Sequence, residues 1–379
     1  MSGRTRYFMV VADGMADTPL AELGGLTPLR YRPRPQMAEL AGQGGLFRVR
    51  TIPSGFSAGT ETAMPLITGY DTSVLTGRGP VEAAGMGIAL PAGQFAMRAN
   101  LVRMAEDGTL TEACPDLSDE EGLAAGRLLA ADAALAGELA RVGWTFHPQP
   151  GFRQMITGPL PPPAGMTPPH NVQGDGIDGH WPTDALAPVV RRARALLRER
   201  GMALWPWGPG AWPHYEPFAD KFGLHGAVIS AVPVVRGMAL LAGLEAPVVP
   251  GATGTLETDW RAKVDAALAA AARVPFVMLH LEAPDDCSHA RSVEAELRAI
   301  AMIDEALARL RAGVGGPYRL LLLPDHVTST ETGRHGAEPV PWCVYDSERP
   351  AGIPTPFVEI DEGPVFAADI PLRTLLGQS

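Results

Sequence analysis

Four short apolar runs, each delivering an acidic residue at its end, constrain this chain more than any other feature. Tyr7 to Ala12 ends at Asp13-Gly14, and Val274 to Leu281 (VPFVMLHL) ends at Glu282-Ala283-Pro284-Asp285. Tyr318 to Leu323 (YRLLLL) ends at Pro324-Asp325-His326, and Val340 to Tyr345 (VPWCVY) ends at Asp346. Continuous apolar runs of this length read as strands buried on both faces. Between the second and third runs, Val293, Leu297, Ile300, Ile303, Leu307 and Leu310 recur at spacings of three and four, one face of a helix over Val293 to Leu310. Strands of this kind alternating with amphipathic helices predict an α/β fold: a mainly parallel sheet with helices on both faces. Ligands of such sheets sit beyond the carboxyl ends of the strands. Asp13, Asp285, Asp325 and His326 all follow strand ends. Each alone would pass for a cap or turn residue; four together at strand ends do not.

The middle of the chain departs from this rhythm. Ser118 to Val142 is Ala-rich and helical, and the Pro-rich loop GPLPPPAGMTPPH follows. Asp184 to Arg200 is a basic helix whose charges are read as a solvated face. From Phe218 the strand-helix alternation resumes. These shifts predict a discontinuous core domain, about 1–90 plus 203–379, and an inserted, smaller α+β cap of about 91–202.

Composition limits the function. Lys plus Arg number 31 against 42 for Asp plus Glu, a net charge of -11, which repels nucleic-acid backbones. A small anionic ligand is still admitted, because metal ions or clustered arginines override the overall field locally. Cys114, Cys287 and Cys343 are too few and too scattered for a disulfide framework and suit a reducing cytoplasm. The start, MSGRTRYFMVVADG, has too short an apolar run for a signal peptide. Gly226 to Ala252 is interrupted by Arg236, Glu245 and prolines, so no membrane span is expected. The expected location is the cytoplasm; the oligomeric state is not legible.

Three groups can hold metal. Asp285 and His289 stand four apart, a spacing that reaches one ion from a loop or first helical turn. Asp325 and His326 are adjacent at a strand end, and His335 follows nine residues later. Imidazole combined with carboxylate suits Zn, Mn, Fe or similar divalent ions better than Ca. Between Asp13 and these groups, Gly59 permits a tight turn and Thr60 opens an apparent helix, TETAMPLIT. A hydroxyl there has backbone N–H groups and the positive end of the helix dipole beside it, which favours an alkoxide and an incoming phosphoryl group. The plainer role for Thr60 is a helix N-cap; its position relative to the metal-binding residues decides between the two.

In order and wording, VADGMADTPL, AGTETAMPLITGYDTSVLTGRGP, FADKFGLHGAVISAV, HLEAPDDCSH, LLLPDH and RHGAEPVPWCVYD resemble the cofactor-independent phosphoglycerate mutases of the archaeal type, in the alkaline phosphatase superfamily. The resemblance covers nearly all of the expected core domain and parts of the cap. It implies an alkaline-phosphatase-like sheet and two divalent metal ions, Mn or Zn. One ion would be held by Asp285, His289 and His335, the other by Asp13, Asp325, His326 and the nucleophile. The family usually carries Ser at the nucleophile, where this chain has Thr60. Lys221, in FADKFG, matches a lysine that contacts the transferring phosphoryl group; otherwise it reads as a solvated surface residue. Arg98, Asn100, Arg153 and His170 match residues that bind the substrate.

The implied activity is metal-dependent phosphoryl transfer through a phosphothreonine, interconverting 2- and 3-phosphoglycerate, with a small phosphorylated metabolite as partner. A phosphatase, another phosphotransferase of homoserine kinase type, and a metal-binding protein without catalysis are the alternatives. The cap is where the match thins: Phe152 replaces a usual His before Arg153, and Met202 stands near an expected Asn. Trp205, Trp207 and Trp212 are read as a domain hinge rather than a substrate wall. Arg78 is open between a structural and a phosphate-facing role, and Cys287 matches no ligand position.

Overall fold

The computed structural model describes residues 5–176, 180 and 186–378. The chain divides into two compact units, one of 1–75 plus 215–379 and a smaller one of 76–214. The division falls inside the expected core at both crossings. The helix Arg78–Gly85 and the strand Met202–Ala211 belong to the smaller unit, because that strand pairs along Gln94–Met104 and the helix packs on both strands.

The larger unit is built on a seven-stranded sheet in the order Val365–Ala367, Phe47–Arg50, Val340–Asp346, Tyr318–Leu323, Arg6–Ala12, Phe276–Leu281 and Gly226–Ile229. Arg6–Ala12 runs parallel to both its neighbours, Tyr318–Leu323 and Phe276–Leu281. These central strands are almost wholly buried, which is why they are apolar without alternation. On one face, Phe8, Val10, Val277, Leu279, Leu320 and Leu322 pack against Met37, Leu40, Val264, Ile300, Ile303 and Leu307 from three helices. On the sheet's other side, the helix Ile370–Leu376 lies against Tyr318–Leu323 and Arg6–Ala12.

One expected strand behaves differently. Val340–Asp346 is antiparallel to both its neighbours, so its carboxyl end points away from the ends of the central strands. Asp346 therefore pairs with Arg319 at the beginning of Tyr318–Leu323 and takes no part in the site.

The smaller unit is an antiparallel sheet of five strands, Leu110–Glu112, Gln94–Met104, Arg153–Pro159 and Thr145–His147 in order, with Met202–Ala211 on Gln94–Met104. Its helical stretch breaks at Asp132, whose carboxylate caps a second helix by accepting from Leu135 N–H, giving Asp119–Ala131 and Ala133–Arg141. The basic helix spans Leu186–Leu197; the expected start at Asp184 lies outside the described residues. Trp205 and Trp207 are core residues of this unit, packed with Val102, Leu110 and Val172, rather than a hinge. Among the described residues no helix is long and apolar enough to cross a membrane.

Candidate metal centre

The carboxyl ends of three adjacent parallel strands meet at one place, and each contributes side chains there. Asp13 follows Arg6–Ala12, Asp325 and His326 follow Tyr318–Leu323, and Asp285 and His289 sit on the short helix Ala283–His289 after Phe276–Leu281. His335 arrives from the hairpin of Val327–Ser329 with Arg334–Gly336. Gly14 makes this convergence sterically possible. It has φ +63°, and a Cβ there would lie 2.6 Å from Thr328 Oγ1 and 2.8 Å from Asp285.

The first subset is made only of acceptors facing one another. His289 Nδ1 lies 2.9 Å from the Gly333 carbonyl and His335 Nδ1 lies 3.1 Å from the Ala58 carbonyl, so each ring directs its N–H at backbone. Both Nε2 atoms therefore present lone pairs, yet they stand 2.9 Å apart and 3.3 and 3.2 Å from the two oxygens of Asp285. Lone pairs so disposed call for a cation among them. The Asp285 carboxylate lies between the two rings, one oxygen facing each. Thr328 fixes this carboxylate by donating to its Oδ1 at 2.7 Å.

The second subset has the same deficiency. Asp325 Oδ1 accepts from Gly14 and His326 N–H, at 3.1 and 3.0 Å. Its Oδ2, like Asp13 Oδ1, is buried without a hydrogen-bond partner. Each of these two oxygens is 3.4 Å from His326 Nε2. Burial, with Asp325 and Asp285 nearby, pushes the Asp13 carboxyl well above its ordinary range, and the opposing pull of His280 offsets this only in part.

Thr60 stands against this second subset. Gly59, at φ +153°, is the N-cap, and Thr60 is the first residue of the helix Thr60–Ile67. The capping role is thereby excluded: the Thr60 hydroxyl lies 3.4 Å from Asp13 Oδ2 and 3.4 Å from His326 Nε2. It is buried, as a group reacting away from bulk water must be.

Other expected residues lie elsewhere. Lys221 faces Glu216 at 3.5 Å and the rings of Tyr70 and Phe222, and with Arg50 and Arg373 it lines a cavity of 780 Å³ in the larger unit. Arg98 and Asn100 are fully buried in the smaller unit. Arg98 pairs with both Glu82 oxygens at 2.7 Å and donates to Asn100 Oδ1, which also accepts from Trp207 Nε1–H. Arg78 joins them through Glu82 at 2.6 Å, which gives it a structural partner. Arg153 lies over the Phe152 ring, half-buried, and His170 is exposed with its ring edge-on to Trp207.

Sequence reasoning missed His280. Its Nε2 lies 3.1 Å from Asp13 Oδ2 and its Nδ1 3.2 Å from Glu282 Oε1, while Lys263 pairs with Glu282 from behind. Burial pushes the ring down, but Glu282 and Asp13 outweigh it and hold His280 up to about 10. The signal was present: a histidine inside a strand buried on both faces must have polar partners.

The site defines a class, an α/β metalloenzyme whose strand ends gather carboxylates and imidazoles able to hold metal beside a buried threonine hydroxyl. A model of the Metalloenzyme superfamily matches residues 5–361. A 2,3-bisphosphoglycerate-independent phosphoglycerate mutase of Methanothrix thermoacetophila is 37% identical over 367 residues, 90% of this chain and 91% of that protein. The 2,3-bisphosphoglycerate-independent phosphoglycerate mutase 2 of Methanothermobacter thermautotrophicus is 36% identical over 367 residues, 89% of this chain and 88% of that protein. The fold is shared with a Pyrococcus horikoshii protein of known structure, at TM-score 0.78, 24% identity and 100% and 99% coverage. It is also shared with the cofactor-independent phosphoglycerate mutase of Thermoplasma acidophilum, at TM-score 0.59, 21% identity and 99% of each chain. The chain belongs to the metalloenzyme superfamily and, within it, to the 2,3-bisphosphoglycerate-independent phosphoglycerate mutase family. Family and donor set together imply divalent metal ions.

Proposed function

We propose that this chain interconverts 2- and 3-phosphoglycerate by phosphoryl transfer through Thr60. The observation that carries the reading is the position of the Thr60 hydroxyl, 3.4 Å from both Asp13 Oδ2 and His326 Nε2, beside two buried carboxylate oxygens that have no partner. Asp285, His289 and His335 hold one divalent ion; Asp13, Asp325, His326 and Thr60 hold the other. The mixed imidazole and carboxylate set suits Mn or Zn. When bound, the ions lower the pKa of the nucleophilic hydroxyl and neutralise phosphoryl oxygens.

The protein's own residues do the rest. Gly59 and the helix that starts at Thr60 aim the hydroxyl, and Asp13 Oδ2 accepts its hydrogen bond. Thr60 Oγ1 forms a bond to phosphorus as the ester bond to one glycerate oxygen breaks, leaving a phosphothreonine and glycerate with that hydroxyl restored. The other glycerate hydroxyl then attacks the phosphothreonine, and Thr60 leaves with its proton returned. Lys221 supplies positive charge to the transferring group. Arg153 and His170, which reach solvent, bind the remainder of the substrate, whereas Arg98 and Asn100 are buried among Glu82 and Trp207 and have a structural role instead of the substrate-binding one expected of them. Exclusion of water separates a mutase from a phosphatase, because water would otherwise take the phosphoryl group.

The test supplies metal-loaded protein with 3-phosphoglycerate and follows both products by phosphorus NMR. Conversion to 2-phosphoglycerate with little free phosphate supports the mutase. Rapid phosphate release with no transfer between hydroxyls would establish a phosphatase instead.

A further inference from the structure

The two oxygens of Asp13 meet different fates. Oδ1 has no partner and lies 3.4 Å from His326 Nε2, on the side where the cation is called for. Oδ2 accepts from Thr60 and lies 3.1 Å from His280 Nε2 as an ion pair, a contact in which Nε2 is not aligned for a hydrogen bond. A carboxylate left to rotate would offer either oxygen, or both, to an ion. Here one is occupied from behind.

His280 is itself fixed by neighbours that do not touch the reacting hydroxyl. Its Nδ1 is 3.0 Å from Ser230 Oγ and 3.2 Å from Glu282 Oε1. The Ser230 hydroxyl donates to the same Glu282 oxygen at 3.0 Å, and Ala231 N–H donates to it at 2.8 Å, so the Ser230 proton is committed and Nδ1 must carry its own hydrogen. The second Glu282 oxygen is held by the Lys263 ammonium. Lys263, Glu282, His280 and Ser230 are all buried. A wholly buried chain of two acids, an imidazole and an ammonium is costly to assemble unless it holds something in place, and the end of this chain is Asp13.

We propose that His280, oriented by Ser230, Glu282 and Lys263, is a positioning residue that locks Asp13 so that only Oδ1 is presented to the cation. The inference rests on the metal-centre reading above and deepens it. Outer partners of metal ligands govern affinity through orientation, by about 10- to 100-fold. A direct-ligand role is the competing assignment, since Asp13, His280 and Asp325 offer ligand atoms within 4.8 Å of one another.

The experiment titrates Mn²⁺ into chelator-stripped, full-length protein by calorimetry, with pulsed EPR on the bound ion. His280→Phe should weaken one class of Mn²⁺ site by about 10- to 100-fold and leave the other unchanged. His280→Gln, whose amide is polar and can reach Asp13 in place of the imidazole, should recover most of that loss, and Glu282→Gln should show a smaller loss at the same site. The number of imidazole nitrogens coupled to Mn²⁺ should be the same in wild type and His280→Gln. Wild-type affinity in His280→Phe, or equal weakening of both classes, would overturn the proposal. Loss of one imidazole coupling in His280→Gln would overturn it in favour of direct ligation. Wild-type protein that takes up no Mn²⁺ would sink the metal reading itself, a result separate from any difference among variants.

Discussion

Both units of this chain bury charge, and they do so in opposite ways. In the smaller unit, Glu82 is wholly buried but answered from three sides: both oxygens meet Arg98, one also meets Arg78, and Arg98 continues to Asn100 and Trp207. In the larger unit, Asp13 and Asp325 are equally buried, yet each keeps an oxygen with no partner, and two imidazole lone pairs face each other across Asp285. The first cluster is closed: it answers both of its carboxylate oxygens with its own residues, leaving only Arg98 Nε without a partner, and reads as architecture. The second is open by the charge of a cation and reads as a binding site. Burial of charge is therefore uninformative until the partners of each oxygen are counted.

The largest effect that tests this contrast concerns catalysis. Thr60→Ala should lower turnover by at least about 10³-fold, as loss of a nucleophile does, while metal content by elemental analysis stays near wild type. Retained turnover would show that the open cluster serves some other hydroxyl. Stability should then separate the clusters. Glu82→Ala strands a buried guanidinium and should cost about 3–5 kcal/mol in urea unfolding. Asp325→Asn removes repulsion from Asp13, so it should raise the melting temperature of chelated protein by about 2–4 °C and abolish the stabilisation that Mn²⁺ gives the wild type. If Asp325→Asn destabilised the chelated protein as Glu82→Ala does, the two clusters would be of one kind.

Acid titration separates them again. Burial disfavours the Glu82 carboxylate, but Arg98 and Arg78 outweigh it and hold its pKa down to about 2, against 4.5 ordinarily. A depressed carboxyl contributes stability that is complete above 4.5 and is lost as pH falls through about 2. Wild type should accordingly lose a component of stability between these limits that Glu82→Gln lacks. Parallel pH curves for the two proteins would contradict it.

The open cluster was the more legible of the two in sequence, for a physical reason. Its ligands stand at the ends of apolar strands, where parallel packing forces buried runs and so marks their carboxyl ends. Asp13, Asp285, Asp325 and His326 could be found from that pattern, and His289 and His335 from their short spacing to it. His280 was hidden within such a run, because periodicity reports burial and says nothing of which neighbour a buried imidazole meets. Glu82 was hidden in the helix Arg78–Gly85, whose pairing with Arg98 depends on tertiary packing over sixteen residues. The reversed direction of Val340–Asp346 was equally silent, since an apolar strand looks alike either way round.

Lys221 gives the smallest effect and the sharpest remaining division. Its ion pair with Glu216 is loose and half-solvated, so Lys221→Met should change stability by no more than about 1 kcal/mol. If the lysine meets the transferring phosphoryl group, the same substitution should lower kcat/KM for 3-phosphoglycerate by about 10-fold or more, a loss of about 1.4 kcal/mol in transition-state binding. Its contacts in this structure are Glu216, Tyr70 and Phe222, within a cavity that also presents Arg50 and Arg373. Should stability and kcat/KM both be untouched, Lys221 is a solvated cation of that cavity, and Arg50→Met or Arg373→Met becomes the next comparison. A fall in kcat/KM at unchanged stability would instead draw the cavity into the chemistry of the open cluster and leave the closed cluster as the only purely architectural charge of the pair.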